Sequence, residues 1–335
     1  MATISLSKSE KAYIQSSLKA SSSLRADGRK PHDYRGIALE TGVAPLANGS
    51  ARLNIGKTNH EQGGGTEVLA ATKLEVEDIE NGDGVEGGRI VCSVSCSPSA
   101  YPHVSYTALD DLQYDYTTLM QDILAHPSLH PPNLSILRGK KSWLLALDLV
   151  VLSDSGNIYD ALFMAARAAL WDTKVPRTRS VEYRANGSRP AGGNDMDVDQ
   201  EKQSGLDTRQ VKTATDFELE DYWDEGEPLG GRDKWPVCIT LNLLPPLSYL
   251  DASLQEEAAT PLRLLLMFSF KSQAPPSLQG MRLLGTDDIN LSQISSLIKE
   301  GEKHAGELFV AINAKLKEED IRRTEKARRR FAAVR

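Results

Sequence analysis

The sequence predicts an α+β fold, in which helices gather against mixed sheets. Alternating apolar residues indicate several strands between residues 37 and 96, followed by a helix over 108–125, a buried strand and a second helix up to about residue 171. After a polar stretch a similar order returns, with strands over 236–285 and helices near 287–300 and 302–318. The 335 residues are 40% hydrophobic and 25% charged, which is enough for one large domain or two ordinary ones.

The first residues predict a lead-in segment, residues 1–24, that contains one short helix. Ser7 and Glu10 match a capping box, and apolar residues then recur at helical spacing up to Leu18. The first folded half follows over residues 25–184.

The stretch "VVLSDSGNIYDALFMAARAAL", from Val150 to Leu170, predicts a strand, a tight turn and a helix. Backbone N–H groups and the helix dipole at such a turn can hold a phosphate. Gly156 makes the turn, and Asn157 and Ile158 follow it. The turn is therefore the first place to look for an active site.

Residues 185–233 differ in character from the rest of the chain. They carry 13 acidic and 5 basic side chains, so their net charge of −8 accounts for the −7 of the whole protein. Few large apolar residues are available to offset the entropy of ordering, which predicts a disordered insert. Its end, "DFELEDYWDEGE", could dock on a basic partner, and a solvated loop without a partner is the alternative.

The second folded half is predicted over 234–318, and residues 319–335 form a basic tail. The last 19 residues contain 8 basic and 4 acidic side chains, which could touch RNA or an acidic neighbouring subunit. A solvated helix end is the simpler interpretation, and we favour it.

Several classes of protein and site are not supported by the sequence. No apolar run approaches the ~20 residues that span a bilayer, and the start lacks a secretory signal, so no membrane association is expected. Cys92 and Cys96 share one strand face about 13 Å apart, too far for a disulfide, and are expected to be buried thiols. "GDGVEG" precedes a strand instead of a helix, and the histidines are scattered, so neither a nucleotide cofactor nor a metal is predicted.

Several segments in their order resemble the RNase PH family. They are "LRADGRKPHDYRGIALETG", "CSPSA", "GKKSWLLALDLVVLSDSGNIYDALFMAARAALWDTKVP" and "LDASLQEEAA". The chain is most similar to the PH-type ring subunits of the eukaryotic RNA exosome, in the branch of the archaeal exosome's non-catalytic ring subunit. The resemblance covers about 2–180 and 234–318, which leaves the acidic insert outside it.

This resemblance implies the RNase PH fold, with a ribosomal protein S5 domain 2-like βαβα core and a C-terminal α+β subdomain. It implies a hetero-hexameric ring with other RNase PH-like subunits, S1/KH cap subunits, a separate hydrolytic nuclease, and RNA passing through a central channel. The expected location is the nucleus, with its nucleolus, and the cytoplasm. The expected function is structural, in 3′-to-5′ RNA processing and decay.

The resemblance also implies that catalysis has been lost. Catalytic members place Gly, then Ser or Thr, then Arg at the turn, where this chain has Gly156, Asn157 and Ile158. They carry an aspartate pair after the acidic "EE", where Ala258 and Leu262 lie in a stretch without carboxylates. The alternative is a phosphorolytic 3′-to-5′ exoribonuclease with an unusual site. A third class is an RNA-binding or regulatory protein outside the ring.

Basic residues give two further expectations. Arg138, Lys140 and Lys141 form the densest basic cluster before the tail and, with Arg52, are candidates for contact with RNA phosphates. A solvent-facing basic hairpin, or a subunit contact for Arg52, is the alternative. Arg29 and Arg35 are expected to pair with carboxylates and brace the sheet.

Overall fold

A computed structural model describes residues 6–20, 24–56, 64–79, 84–183, 206–207, 216–220, 226–271 and 275–333. The helices in these ranges are α1 Lys8–Lys19, α2 Tyr106–Leu124, α3 Ile158–Asp172, α4 Leu254–Ala259 and α5 Leu291–Ala333. The strands are β1 Ile37–Thr41, β2 Gly49–Ile55, β3 Thr66–Asp78, β4 Arg89–Cys96, β5 Ser135–Leu137, β6 Lys141–Ser153, β7 Lys174–Val175, β8 Thr178–Tyr183, β9 Leu206–Asp207, β10 Asp216–Leu219, β11 Glu227–Pro228, β12 Val237–Leu244, β13 Leu247–Tyr249, β14 Leu262–Ser269 and β15 Ser277–Gly285.

The first large sheet has the strand order β1-β2-β3-β6-β4, with β5 also paired to β6. All its pairs are antiparallel except β4 with β6, which is parallel. Helix α2 packs on β4 and closes its outer edge. The backbone N–H groups of Cys92, Val94 and Cys96 donate to the side chains of Gln121, Thr117 and Gln113, respectively. This edge of the sheet therefore has its donors satisfied within the chain.

The second sheet is antiparallel throughout, in the order β13-β12-β14-β15. Helix α3 contacts both β2 and β3 of the first sheet and β12 of the second. All fifteen of its residues are buried, which its apolar and alanine-rich sequence allows. The helix places its N-terminal turn beside the loop that follows β13. The mixed, helix-packed sheets confirm the predicted α+β class.

Several local predictions are confirmed. Ser7 caps α1, since its N–H donates to Glu10 Oε2 at 2.7 Å while its Oγ accepts from the Glu10 N–H at 3.2 Å. Cys92 and Cys96 are buried on alternating positions of β4. Burial raises the pKa of each thiol to about 12, so both are inert structural groups.

The C-terminal prediction is wrong in one respect. The two helices predicted near 287–300 and 302–318 and the tail form one helix, α5, of 43 residues. Gly301, which lies between the two predicted ranges, is inside the helix, where a Cβ atom would meet Leu266 Cδ1 at 2.4 Å. The glycine therefore allows α5 to approach the second sheet closely, and does not end the helix.

The prediction of disorder for 185–233 is wrong for part of the insert. Strand β10 pairs with β8, and β11 pairs with β7. Leu229 is only 1% exposed, so this end of the insert belongs to the core. Most other residues of the insert, and part of "GDGVEG", lie outside the described residues. Among the described residues, no helix has the length and apolar character needed to cross a membrane.

Candidate functional site

The turn that joins β6 to α3 has a backbone conformation that few residue types adopt. Gly156 has a φ of 95°, and Asn157, at the N-terminus of α3, has a left-handed φ of 61°. A Cβ at residue 156 would lie 2.5 Å from the carbonyl oxygen of Ala252. The turn therefore packs directly on the loop between β13 and α4, and glycine is required there.

Asp251, in this loop, is the centre of a charged cluster. Its side chain is fully buried and forms ion pairs with Arg29 at 2.8 Å and with Arg35 at 2.7 Å. Arg35 also donates to the carbonyl oxygens of Ser155 and Gly156, both at 3.0 Å. Burial alone would raise the pKa of Asp251, but the hydrogen bonds and charge of Arg35, with help from Arg29, leave the pKa lowered.

The side chain of Glu257, a residue of α4, lies at the N-terminus of α3. The backbone N–H of Asn157 donates to its Oε1 at 2.7 Å, and Arg263 pairs with its Oε2 at 2.8 Å. Burial raises the pKa of Glu257, while the charge of Arg263 opposes that shift. A carboxylate of the chain itself thus lies where a helix N-terminus would otherwise receive an anion.

The two aspartates that flank the turn in sequence have separate roles. Asp154 accepts hydrogen bonds from the Gly156 N–H and the Tyr101 hydroxyl, both at 2.8 Å. Asp160 accepts from Tyr34 at 3.0 Å and from Thr240 at 2.7 Å inside the core. Burial raises the pKa of Asp160 to about 6, against the effect of these hydrogen bonds.

The positions that the resemblance marks as degenerate lie close together. Ile158 is 3% exposed and packs in the core, and Leu262 is 5% exposed at the start of β14. Ala258 follows Glu257 in α4. The structure thus brings the turn and the acidic loop into contact, and these three side chains bring no charge to it.

The predicted RNA contacts fall in two places. Arg138 and Lys140 lie in the turn between β5 and β6, and Lys141 begins β6. Arg52 is opposite Leu69 of β3, whereas Lys141 is opposite Asp78, nine residues further along the same strand. At ~3.3 Å per residue these positions are about 30 Å apart.

Arg52 and Lys141 form ion pairs within the chain. Arg52 forms an ion pair with Glu67, and its Nε donates to that carboxylate at 2.7 Å. Lys141 pairs with Asp216 at 2.9 Å and lies 5.5 Å from the ring centroid of Phe217. The described part of the acidic–aromatic segment thus docks on this chain's own basic hairpin.

Sequence reasoning predicted some of this site and missed the rest. The pairing of Arg29 and Arg35 with a carboxylate is confirmed. The roles of Asp251 and Glu257 were missed, because their partner Asn157 is 94 and 100 residues away in the chain. The capping box of Ser253 with Glu256 was a local signal for the start of α4, but it does not place that helix beside the turn.

The chain is similar to proteins that carry exosome names. Residues 33–176 match the RNase PH model, described as domain 1 of the 3′ exoribonuclease family. A putative exosome complex exonuclease RRP42 of Dictyostelium discoideum is 26% identical over 306 residues, which are 77% of this chain and 83% of that protein. An exosome complex component Rrp42 of Thermoplasma volcanium is 33% identical over 175 residues, 52% of this chain and 63% of that protein. The match with this archaeal relative thus spans less than two thirds of its length.

Two solved structures share the fold. One is an Archaeoglobus fulgidus exosome with RNA bound to the active site, with a TM-score of 0.62 and 20% identity. The match covers 89% of this chain and 96% of that one. The other is an archaeal exosome core, with a TM-score of 0.59 and 19% identity over 91% of this chain and 96% of that one. Residues 33–176 therefore match an RNase PH domain, and the chain shares the RNase PH fold of these structures.

Proposed function

We propose that this protein is a non-catalytic ring subunit of an RNA exosome core. Relatives from a eukaryote and from archaea carry exosome names, and the structural neighbours are exosome cores. The relatives' names support the assembly, and the geometry of the turn supports the absence of catalysis.

The observation that carries the absence of catalysis is the hydrogen bond from the Asn157 N–H to Glu257. Phosphorolysis needs an anion site in which positive groups stabilise inorganic phosphate. Here the amide holds an internal carboxylate, and Arg263 pairs with that carboxylate. Arg29 and Arg35 are likewise committed to Asp251. Phosphate would have to displace Glu257 and lie beside Asp154 and Asp251, which its charge disfavours.

The surface that supports assembly is the outer edge of the second sheet. Among the described strands, β15 pairs with β14 alone, so its other side carries no strand from that part of the chain. Met281 is 48% exposed and Leu283 is 46% exposed, and the two lie on one face because they are two residues apart in the strand. The edge of β4, by contrast, is closed by α2. We therefore assign a neighbouring-subunit contact to β15.

The proposal extends to partners and location. Other RNase PH-like subunits would complete a hetero-hexameric ring, with S1/KH cap subunits and a hydrolytic nuclease outside it and RNA in the channel. The family resemblance supports these partners, and it supports the nucleus, nucleolus and cytoplasm as the location. The exposed basic hairpin of Arg138 supports contact with RNA.

The test is reconstitution with RNase PH-like neighbours from the same cell, followed by native mass spectrometry. We expect one copy of this chain in each hexameric ring. The double variant Met281→Glu, Leu283→Glu should prevent ring formation, while Leu46→Glu, at a fully exposed apolar residue, should not. A chain that stays monomeric with every neighbour would contradict the assembly.

The alternative, a phosphorolytic exoribonuclease, is tested on the same purified ring. Labelled RNA is incubated with inorganic phosphate, and release of nucleoside diphosphates is measured. We expect no release that depends on this subunit. Phosphate-dependent release that disappears in a Gly156→Ala variant, in a ring that still assembles, would establish the enzyme instead.

A further inference from the structure

A cluster of two histidines and one glutamate lies far in sequence from the turn after β6. His32 is in the loop before β1, and Glu300 and His304 are on α5. One ligand atom from each of the three side chains lies within 4.8 Å of the others. Glu300 and His304 are four residues apart, so they share one face of the helix. We propose that His32, Glu300 and His304 form a binding site for a zinc ion.

The donor set suits zinc. Imidazole nitrogen and carboxylate oxygen are ordinary zinc ligands, and three protein ligands leave one tetrahedral position for water. Ligand atoms around tetrahedral zinc are about 3.4 Å apart at bond lengths of ~2.0–2.1 Å. His32 Nε2 and Glu300 Oε1 are already 3.5 Å apart. The stacked rings of His32 and His304 would have to turn so that one nitrogen of each points at the ion.

The surrounding groups are arranged as an outer shell. His304 Nδ1 lies 3.2 Å from Glu307 Oε2, which leaves Nε2 as the atom for a metal. The Ser248 hydroxyl donates to Glu300 Oε1 and orients that carboxylate. Hydrogen bonds of this kind fix the ring orientation of metal-binding histidines and raise their basicity.

The backbone that carries His32 is anchored. The carbonyl oxygen of Pro31 accepts from the Leu250 N–H at 2.8 Å, and Arg29 is held by Asp251. The His32 side chain is 47% exposed, whereas that of His304 is 10% exposed. The two rings stack with centroids 4.7 Å apart, which brings the loop onto α5 without a metal. Zinc would therefore bind where the three side chains already meet and fasten this loop to the helix.

The experiment uses the full chain, without a polyhistidine tag, titrated with zinc chloride by calorimetry. We expect one zinc per chain and a thermal midpoint raised by about 5 °C at saturating zinc. Cobalt(II) should give the intense visible bands of a four-coordinate ion. Failure to bind zinc at all would overturn the proposal.

Variants distinguish this site from non-specific binding of zinc to other histidines. His32→Ala changes an exposed side chain, so the protein should fold and bind zinc at least ~10-fold more weakly. Glu307→Gln should weaken binding about 10-fold through the orientation of His304. His103→Ala, at an exposed histidine elsewhere, is the control and should bind as the unchanged protein does. Equal affinity of the His32→Ala and His103→Ala proteins would overturn the assignment.

Discussion

At the residue scale, the carboxylates around the turn after β6 are all committed to partners within the chain. Asp251 and Glu257 each face arginine, and Asp154 accepts from Gly156 and Tyr101. A buried carboxylate is stable only with such partners, because burial disfavours its charged form. The same contacts that stabilise the turn thus remove the positive groups that a phosphate would need.

Removing the charge of Asp251 is expected to destabilise the protein strongly. Asparagine tolerates the φ of 45° at this position, so Asp251→Asn changes charge more than backbone. Arg35, whose side chain is 12% exposed, would lose its ion-pair partner, and Arg29 would keep only Asp27. We expect the free energy of unfolding in urea to fall by about 3–5 kcal/mol. Glu75→Gln, in an exposed pair with Lys73, is the control and should cost under ~1 kcal/mol.

Asp160 should make stability depend on pH. Its pKa is raised from 3.8 to about 6, so the folded protein binds this proton more tightly than the unfolded chain. Stability from this group is therefore present at low pH and is lost as pH rises from about 4 to about 6. Two pKa units correspond to about 3 kcal/mol.

The neutral variant Asp160→Asn should remove this dependence. Its free energy of unfolding, measured in urea, should gain about 3 kcal/mol relative to the unchanged protein between pH 4 and pH 7. Asp122→Asn, at an exposed position of α2, should show no such change. A difference between Asp160→Asn and the unchanged protein that stays constant with pH would mean that Asp160 titrates normally.

At the scale of elements, α5 connects two parts of the molecule. Its first half buries Ala305 and Leu308 against the second sheet. Beyond residue 318, Asp320 accepts from Trp171 Nε1 at 3.0 Å and Arg323 pairs with Asp172, both at the end of α3. The segment interpreted from sequence as a basic tail is therefore helical and partly fixed to the core.

Two truncations test this role of the helix. A chain that ends at Glu318 loses the contacts of Asp320 and Arg323, whereas a chain that ends at Thr324 keeps both. We expect the shorter chain to lose about 2 kcal/mol, which lowers the thermal midpoint by about 3 °C. The longer truncated chain should melt within ~1 °C of the full protein. Equal midpoints for the two truncated chains would favour a solvated tail.

At the scale of the whole molecule, strongly periodic segments were predictable and long-range pairings were not. Helix α2 was predicted over 108–125 and lies at Tyr106–Leu124, because its apolar stripe is set by local sequence. Strand β10 was missed because its sequence, "DFEL", is polar, and pairing with β8 stabilises it. The glycine turn of the candidate site was predictable for a similar local reason. The contact of Glu257 with the Asn157 N–H was not, because folding brings these two distant residues together.

The path of RNA depends on where the fold places the basic residues relative to one another. Arg138 lies exposed at the β5–β6 turn, about 30 Å along β3 from Arg52. Lys141, beside Arg138, is neutralised by Asp216. If single-stranded RNA in an assembled ring passes the hairpin, Arg138 should contact a phosphate and Arg52, paired with Glu67, should not.

Salt dependence of RNA binding distinguishes the two positions. Each phosphate contact contributes about −0.7 to the slope of log affinity against log salt for a single strand. In assembled rings, Arg138→Ala should flatten the slope by ~0.7, and the matched Arg52→Ala should leave it unchanged. Asp216→Asn should steepen it by up to ~0.7, because Lys141 becomes available. A flatter slope for Arg52→Ala alone would place the RNA along β2 and remove the hairpin from its path.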